Sequence, residues 1–378
     1  MLELILYVLY GLLTLISVVV AWKLMFAFKH FRMKQLMSEP SMLSDMPSVS
    51  VCIPARNETH AMTECLERVI ASTYPKLEVI VLDDSSGDNT SVLIKSFAHA
   101  GVRFVEGSPL PEGWLGKNNA LQGLLDEASG TYILYMDVDT TIEPDTIEQL
   151  VAYALQEKAT MVSVLPRRKD NWRTSVLFGT LRYYLELIMH RKSSPAASSS
   201  AWLINRRSLI DEVGGIASVR TAVQPEARIA AFYSMTGRYR FIIGTALLGV
   251  SYDKRWKSQV DTSIRLLYPV IGGTVWAAII AILTFLLLVQ PVVSLLEAFV
   301  TGWTLIQTMA LWQLAVFAAL YGSYLARAWD KAWWFGMLLW PIIIVQEFIV
   351  LCVSLNRYVN GTVQWKGRPV MLRRPKRI

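Results

Sequence analysis

Two aspartates separated by one residue follow an apolar run in YILYMDVDTT, residues 132–141. The run predicts a buried strand, which we place over 131–139. Alternate residues of a strand point to the same side, so Asp137 and Asp139 would face one ion. Carboxylates in small number suit Mg²⁺ or Mn²⁺, which also binds waters and substrate phosphates. A polar turn ending a strand is the simpler alternative.

Further charged residues follow two other apolar runs. IPARNE contains Glu58, and VIVLDDSSGDNT contains Asp83 and Asp84. Such acids repel one another unless a cation or hydrogen-bond donor compensates. Asp83 and Asp84 are also compatible with capping the next helix.

The segment GWLGKNNAL, residues 113–121, contains Lys117 at a predicted helix start. A lysine beside a helix N-terminus favours a pyrophosphate, and a plain turn with a solvated lysine is equally compatible. The sequence has neither GxxxxGK[ST] nor GxGxxG, which disfavours a P-loop or a dinucleotide-binding site.

These residues belong to a region in which apolar strands alternate with helical stretches. We predict strands over 49–54, 77–84, 102–106, 131–139 and 159–166, and helices over 58–72, 89–100, 117–128 and 145–157. This order predicts an α/β domain with a mostly parallel sheet buried on both faces. Ligands bind at the carboxyl ends of such strands, so the acids are expected to meet at one edge.

Composition indicates a membrane protein. Of 378 residues, 53% are hydrophobic and only 18% are charged, below the quarter typical of soluble domains. The long apolar runs are Leu4–Trp22, Leu266–Val289, Val300–Ala326 and Trp333–Leu355. We therefore predict an N-terminal transmembrane anchor at 1–28, a catalytic domain at 47–262, a C-terminal transmembrane region of about three helices at 266–355, and a basic tail at 356–378.

The distribution of charge predicts the orientation. The first apolar run is followed by Lys23, Lys29, Arg32 and Lys34, which places the N-terminus outside and the domain in the cytoplasm. Much of the net charge of +7 lies beside the apolar segments, which favours anionic lipid headgroups over nucleic acid. Three helices after the domain would leave the basic tail outside, against the same rule. One of them is then re-entrant or interfacial, and Pro341 makes Trp333–Leu355 the candidate.

Four motifs in order resemble the family 2 glycosyltransferases with the GT-A fold: VSVCIPARNE, VIVLDDSSGDNT, WLGKNNAL and YILYMDVDTTIEPDTI. SAWLINRRSLIDEVGGI, residues 200–216, resembles the acceptor-side segment of that family. The membrane arrangement is similar to that of carotenoid (diaponeurosporenoate-type) and hopanoid-associated glycosyltransferases. The resemblance implies a nucleotide sugar donor, expected to be a UDP-sugar, and a membrane lipid acceptor that becomes a glycolipid or a carotenoid or terpenoid glycoside.

The resemblance also implies roles for single residues. Pro54, Glu58 and Asp84 are expected to line the nucleoside pocket, where Asp84 contacts the base and Asp83 supports Asp84. Lys117 is expected near the diphosphate. Asp139 is expected to be the principal metal ligand, and Asp137 is expected near the ribose and the metal.

Two departures from the family pattern affect the chemistry. In VQPEARIA, Glu226 stands where the family has an aspartate as the base that accepts the acceptor hydroxyl proton. A surface glutamate opening a helix is the alternative. The family motif QxxRW occurs only as YDKRW, with Tyr252 in place of glutamine. Arg255 would assist the leaving group and Trp256 would lie under the acceptor, unless the pair merely anchors the next membrane helix.

The segment SVLFGTLRYYLELIMHRK, residues 175–192, is typical of an interfacial helix, and a domain-core helix is the alternative. Other functions remain open: a processive polysaccharide synthase, a polyprenyl-phosphate sugar transferase, and a non-catalytic membrane scaffold that keeps the fold.

Overall fold

The chain forms two compact units in a computed structural model that describes residues 2–33, 46–169, 181–254, 256–329, 331 and 333–370. The helical unit contains Met1–His30, Lys169–Met189 and Lys254–Val363. The sheet unit contains Phe31–Arg168, His190–Asp253 and Gln364–Ile378. The catalytic domain was expected as one uninterrupted stretch, 47–262. Among the described residues, the helical unit also contains Lys169 and 181–189, and the sheet unit also contains 364–370.

Seven helices of six or more described residues make up the helical unit. They are α1 (Leu2–His30), then Arg182–Ile188, Trp256–Val270, Val275–Thr301, Leu305–Ala328, Trp333–Leu338 and Trp340–Val359. Within the described residues, Glu3–His30, Val275–Val300, Leu305–Ala328 and Trp340–Val359 are long and apolar enough to cross a membrane. The prediction of one such helix before the domain and about three after it is confirmed.

The sheet unit is built on a seven-stranded sheet. Its strands are β1 (Val49–Ala55), β2 (Leu77–Asp83), β3 (Val102–Glu106), β4 (Tyr132–Met136), β6 (Met161–Leu165), β8 (Ala201–Asn205) and β9 (Tyr239–Ile243). Their order across the sheet is β3-β2-β1-β4-β8-β6-β9. A small sheet of order β5-β10-β7 joins β5 (Thr140–Thr141), β7 (Arg167–Arg168) and β10 (Ser251–Tyr252). A hairpin joins β11 (Gln364–Trp365) to β12 (Arg368–Pro369).

Helices connect the parallel strands, as the alternating pattern predicts. They are α2 (Met62–Ile70), α3 (Thr90–Ser96), α4 (Gly116–Glu127) and α5 (Thr146–Gln156), with Pro225–Met235 later in the chain. Every residue of β1, β4 and β6 is buried, which accounts for their continuous apolar sequences. The predicted α/β class and mostly parallel sheet are confirmed, and β8 is the antiparallel member, between β4 and β6.

Candidate donor-binding and catalytic site

Three adjacent strands bring the predicted site residues together. β1 pairs in parallel with β2 on one side and with β4 on the other, and Ala55 is opposite Asp83. The chain therefore leaves all three strands at one side of the sheet, here called the carboxyl edge. The expectation that the three motifs meet there is confirmed. Pro54 is buried near the end of β1, opposite Leu82.

The loops after β1 and β2 are bound to each other. The Asn57 side-chain oxygen accepts a hydrogen bond from the Gly87 backbone amide (2.8 Å), and the Asn57 backbone amide donates to the Ser86 hydroxyl (2.9 Å). The Glu58 amide donates to the Thr90 hydroxyl at 2.9 Å. Asn57 and Ser85 have φ of 52° and 55°, a left-handed conformation that costs energy in residues other than glycine. The two loops thus form one fixed wall of the site.

The neighbouring aspartates of β2 have different surroundings. Asp83 accepts hydrogen bonds from the hydroxyls of Ser86 and Ser91, and its backbone oxygen accepts one from the Gly107 amide at 2.9 Å. These contacts shape the loop. Neither aspartate caps the next helix, because Asn89 holds the cap position of α3 and Asp88 accepts from the Thr90 amide (3.0 Å).

Asp84 is an acid with unused acceptor capacity. It is 1% exposed, and neither carboxylate oxygen has a well-aligned hydrogen bond. The Arg368 guanidinium lies 2.9 Å from Oδ1, close enough for an ion pair but poorly aligned for a hydrogen bond. Burial raises the pKa of Asp84, and the nearby Arg368 and Arg56 partly oppose that rise. A ligand N–H group would satisfy this carboxylate.

Lys117 lies in the first turn of α4 and forms an ion pair with the predicted metal site. Its Nζ is 2.6 Å from Asp137 Oδ1, and the Ser199 hydroxyl donates to Oδ2 at 3.0 Å. The lysine is 18% exposed and the aspartate 22%. A solvated lysine after a plain turn is therefore not what the structure contains. A cation and a helix N-terminus together favour an anion at this point.

The two aspartates of the MDVD motif lie in a turn and not in a strand. β4 ends at Met136, and the Thr140 amide donates to the Asp137 carbonyl at 3.0 Å. The prediction of a strand through 139 was wrong in this respect, because the buried Val138 turns inward while the chain reverses into β5. The Asp253 amide donates to the Asp139 carbonyl (3.3 Å), and Tyr252 pairs with Thr140, which brings the start of YDKRW against this turn.

The residues present fit a hard divalent cation that is shared with a substrate. No group of three or more His, Cys, Asp or Glu side chains able to hold a metal occurs in the part of the chain that the structure describes. A cation at Asp137 and Asp139 would thus need further oxygen ligands from water or from a bound phosphate, as Mg²⁺ and Mn²⁺ commonly take them.

Glu226 is buried, with 2% exposure, in the first turn of the helix Pro225–Met235. The surface alternative is therefore excluded. The loop before this helix is fixed to α4, since the Asn118 side-chain amide donates to the carbonyls of Val219, Arg220 and Ala222 at 3.1, 2.9 and 2.8 Å. The same helix start that carries Lys117 therefore positions the chain leading to Glu226.

The remaining predicted residues fall outside the sheet unit or outside the described residues. Arg255 lies outside the described residues. Trp256 begins the helix Trp256–Val270 of the helical unit, and its indole N–H is 3.5 Å from the Gln346 side-chain oxygen.

Four residues of this edge were not identified from the sequence. Arg56 donates to the carbonyls of Asp84, Ser85 and Lys366, the latter two at 3.0 and 3.2 Å. Ser199 orients Asp137, and Lys366 and Arg368 contact Glu58 and Asp84. The charge of the tail was visible in sequence, but nothing local indicates which acids its residues reach.

Comparison with known proteins finds a family model that matches the central part of the chain. Residues 50–213 match the family model described as Glycosyl transferase family 2. The chain is 34% identical over 113 residues to the probable glycosyltransferase YdaM of Bacillus subtilis (strain 168), covering 29% of this chain and 27% of that protein. It is 32% identical over 136 residues to the undecaprenyl-phosphate 4-deoxy-4-formamido-L-arabinose transferase of Aeromonas hydrophila subsp. hydrophila, covering 34% of this chain and 40% of that protein. The chain thus aligns with well under half the length of these relatives.

A solved structure matches nearly the whole chain. The mannosyltransferase PcManGT from Pyrobaculum calidifontis, in complex with GDP-Man and Mn²⁺, superimposes with a TM-score of 0.54 at 18% identity, covering 94% of this chain and 99% of that chain. This similarity confirms the GT-A fold.

Proposed function

Because residues 50–213 match the glycosyl transferase family 2 model, we propose that the protein is an inverting, metal-dependent glycosyltransferase. It moves a sugar from a nucleoside diphosphate sugar to a membrane lipid. One observation carries this proposal: Glu58, Asp84 and the turn with Asp137 and Asp139 follow three adjacent strands at one carboxyl edge, where Lys117 of α4 pairs with Asp137. The same chain has helices that are able to cross a membrane.

The carboxyl edge offers separate contacts for each part of the donor. Asp84 accepts from an N–H group of the base, beside Pro54, and Asp83 holds the loop. Glu58 faces the nucleoside; burial raises its pKa, and the Lys366 ammonium at 2.5 Å opposes that rise. Lys117 and the N-terminus of α4 bind the diphosphate. We expect a UDP-sugar, and the GDP-Man of PcManGT makes a GDP-sugar the other donor to test.

A divalent cation, Mg²⁺ or Mn²⁺, would be held mainly by Asp139 with support from Asp137, and when bound it supplies positive charge at the departing diphosphate. The PcManGT complex, which has the same fold, contains Mn²⁺ together with a nucleotide sugar. Lys117 adds a fixed positive charge at the place where the leaving group becomes more negative.

Glu226 acts as the general base in this proposal. It accepts the proton of the acceptor hydroxyl while that oxygen attacks the anomeric carbon and the bond to the diphosphate breaks. A single displacement inverts the configuration at that carbon. Arg255 would assist the leaving group and Trp256 would contact the acceptor.

The acceptor is proposed to come from the bilayer. The helix Arg182–Ile188 belongs to the helical unit, where the Tyr184 ring packs against the rings of Tyr321, Tyr324 and Trp340. The Aeromonas relative is an undecaprenyl-phosphate transferase by name, and undecaprenyl phosphate is a lipid phosphate. A lipid-phosphate acceptor is therefore a specific alternative to a lipid alcohol.

The first experiment incubates membranes containing the protein with UDP- and GDP-sugars and extracted lipids, with and without Mn²⁺. The proposal requires a labelled, inverted glycolipid whose formation is lost in Asp139→Ala. A product lipid that carries phosphate would identify the polyprenyl-phosphate alternative, and a long water-soluble polymer would identify the polysaccharide synthase. Unchanged cellular glycolipid in Asp139→Ala would favour the scaffold.

The position of the tail bears on membrane topology. The hairpin 364–369 contacts Glu58 and Asp84 of the sheet unit, so we propose that the chain between 254 and 363 returns to the side on which it started. This part of the chain would then cross the bilayer an even number of times. Three of its helices are long and apolar enough to cross, so one of the three would not do so. The predicted segment Trp333–Leu355 is interrupted at Leu339, and we propose that the helix after the interruption, Trp340–Val359, enters the bilayer without crossing it, although its length and apolar composition would allow a crossing.

This topology places the domain and the tail together in the cytoplasm, as the positive-inside rule requires. Cysteines introduced at the exposed positions His60 and Gln364, in a background with Cys352→Ser, should react with a membrane-impermeant reagent from the same side. Labelling of the two from opposite sides would contradict the proposal.

A further inference from the structure

The C-terminal hairpin presents two cations from a tight turn. β11 and β12 are antiparallel, with Trp365 opposite Arg368, and Lys366 and Gly367 form the turn with φ of 47° and 80°. Two consecutive left-handed residues are typical of the two-residue hairpin turn. The geometry puts the Lys366 and Arg368 side chains on the carboxyl edge of the sheet unit.

Each of these cations lies on an acid of the proposed nucleoside pocket. The Lys366 ammonium is 2.5 Å from Glu58 Oε1 and 3.3 Å from the Asn57 carbonyl. The Arg368 guanidinium is 2.9 Å from Asp84 Oδ1. Arg56 fixes the turn by donating to the Lys366 carbonyl at 3.2 Å. The hairpin is thus held by the same two loops that are proposed to receive the nucleoside.

Arg368 also lies against the start of α4. A Cβ atom on Gly116 would be 2.9 Å from Arg368 Cδ, 3.0 Å from its Nη1 and 3.5 Å from Asp84 Oδ2. The guanidinium therefore occupies the space between the proposed base acceptor and the helix turn that carries Lys117. That space is where a nucleoside would connect to its diphosphate.

We propose that Lys366 and Arg368 are donor-binding residues that exchange partners when the donor enters. This inference rests on the proposed function. Without donor, the two cations neutralise carboxylates that would otherwise repel one another. A nucleoside that binds between Asp84 and the start of α4 needs the space that the Arg368 guanidinium occupies beside Gly116, so Arg368 has to move. The diphosphate then provides a new anionic partner, and an arginine fork suits phosphate oxygens.

Removing Arg368 should change two binding quantities in opposite directions: the affinity for a nucleoside should rise, and the preference for a nucleoside diphosphate over the nucleoside should fall. A nucleoside without phosphates only loses a competitor when Arg368 is removed, so its affinity should rise several-fold in Arg368→Ala. A nucleoside diphosphate also loses a charge-assisted contact. The preference of the protein for the diphosphate is the dissociation constant of the nucleoside divided by that of the nucleoside diphosphate. This ratio should fall about tenfold in Arg368→Ala, the value expected for the loss of one hydrogen bond to a charged group.

The experiment measures UDP against uridine and GDP against guanosine by competition with a labelled diphosphate, using the full chain in detergent with Mn²⁺. Lys366→Ala should also lower the preference, and Arg368→Lys should restore part of it. Arg103→Ala is the matched control, because Arg103 is an exposed arginine near the start of β3, at the opposite end of the strand from the carboxyl edge, and its guanidinium is 2.5 Å from the Glu127 carboxylate. Its preference should equal that of the wild type.

An unchanged preference in both alanine variants would overturn the inference, as would a lower nucleoside affinity in Arg368→Ala. If the wild type bound neither UDP nor GDP, the proposed function itself would fail. Wild-type binding without any effect of the hairpin variants would reject only the present inference.

Discussion

Lys117→Met tests whether the lysine at the start of α4 acts on the donor or only on Asp137. The Lys117–Asp137 distance of 2.6 Å gives a Coulomb energy of about 6 kcal/mol at an effective dielectric constant of about 20. Desolvation and side-chain entropy offset most of this at groups that are about one fifth exposed. We therefore expect a net loss of about 1–3 kcal/mol in unfolding free energy, seen as a melting temperature a few degrees lower.

The effect on transfer should be larger. A fixed charge that stabilises the leaving diphosphate is worth about 100-fold or more in kcat, by the magnitude found for single oxyanion donors. The assay follows labelled sugar transfer to lipid and donor binding in parallel, at a temperature well below the melting transition of the variant. Arg103→Met, which removes an exposed ion pair with Glu127 near the start of β3, should leave both unchanged.

The double variant Lys117→Met with Asp137→Asn completes the test. The double variant is compared with Asp137→Asn alone, because Asp137 has a proposed role of its own at the metal. If Lys117 serves only to hold Asp137, adding Lys117→Met to Asp137→Asn should cost no further activity, whereas a lysine that stabilises the diphosphate should cost about 100-fold more. No further loss in the double variant, or a kcat of Lys117→Met within threefold of the wild type, would refute the assignment of Lys117 to the donor.

Three further changes test other parts of the site. Gly107→Ala puts a Cβ atom 2.8 Å from the Asp83 carbonyl, so we expect the free energy of unfolding to fall by about 1–3 kcal/mol and nucleotide binding to weaken. Gly87→Ala is the control, because a Cβ atom there meets nothing within 4 Å, and thermal melts and binding assays should show neither effect. Glu226→Gln should bind donor normally in equilibrium binding yet transfer sugar at least 100-fold more slowly; normal transfer would exclude it as the base. Burial raises the pKa of Asp84, so the folded state binds the proton of this carboxyl group more tightly than the unfolded state does. The stability that comes from this protonation is therefore present at low pH and is lost as the pH rises through the raised pKa. The stability advantage of wild type over Asp84→Asn should thus grow on acidification in thermal melts from pH 7 to 4, and a constant difference would contradict the shift.

Much of the fold could be predicted because its signals are local. The apolar runs at 49–54, 77–84, 102–106 and 159–166 correspond to β1, β2, β3 and β6 within one or two residues. The strand that was predicted to end at 139 ends three residues earlier, at Met136. The turn at Asp137 depends on the burial of Val138 and on the pairing of β10 with β5, and neither is visible in the local sequence. β8 was not predicted as a strand, because its antiparallel place between β4 and β6 depends on residues distant in sequence.

The sequence by itself determined the class of fold, the membrane helices and the acids that reach the carboxyl edge, because hydrophobic periodicity and strand order act over short distances. Only the tertiary structure decided how those acids are partnered. Asp137 is paired with Lys117, Asp83 is held by serines, and Asp84 and Glu58 face the C-terminal hairpin. Arg368 is 284 residues beyond Asp84, and a contact of that kind depends on the whole chain having folded, since the electrostatic attraction of a basic tail does not itself select one acid.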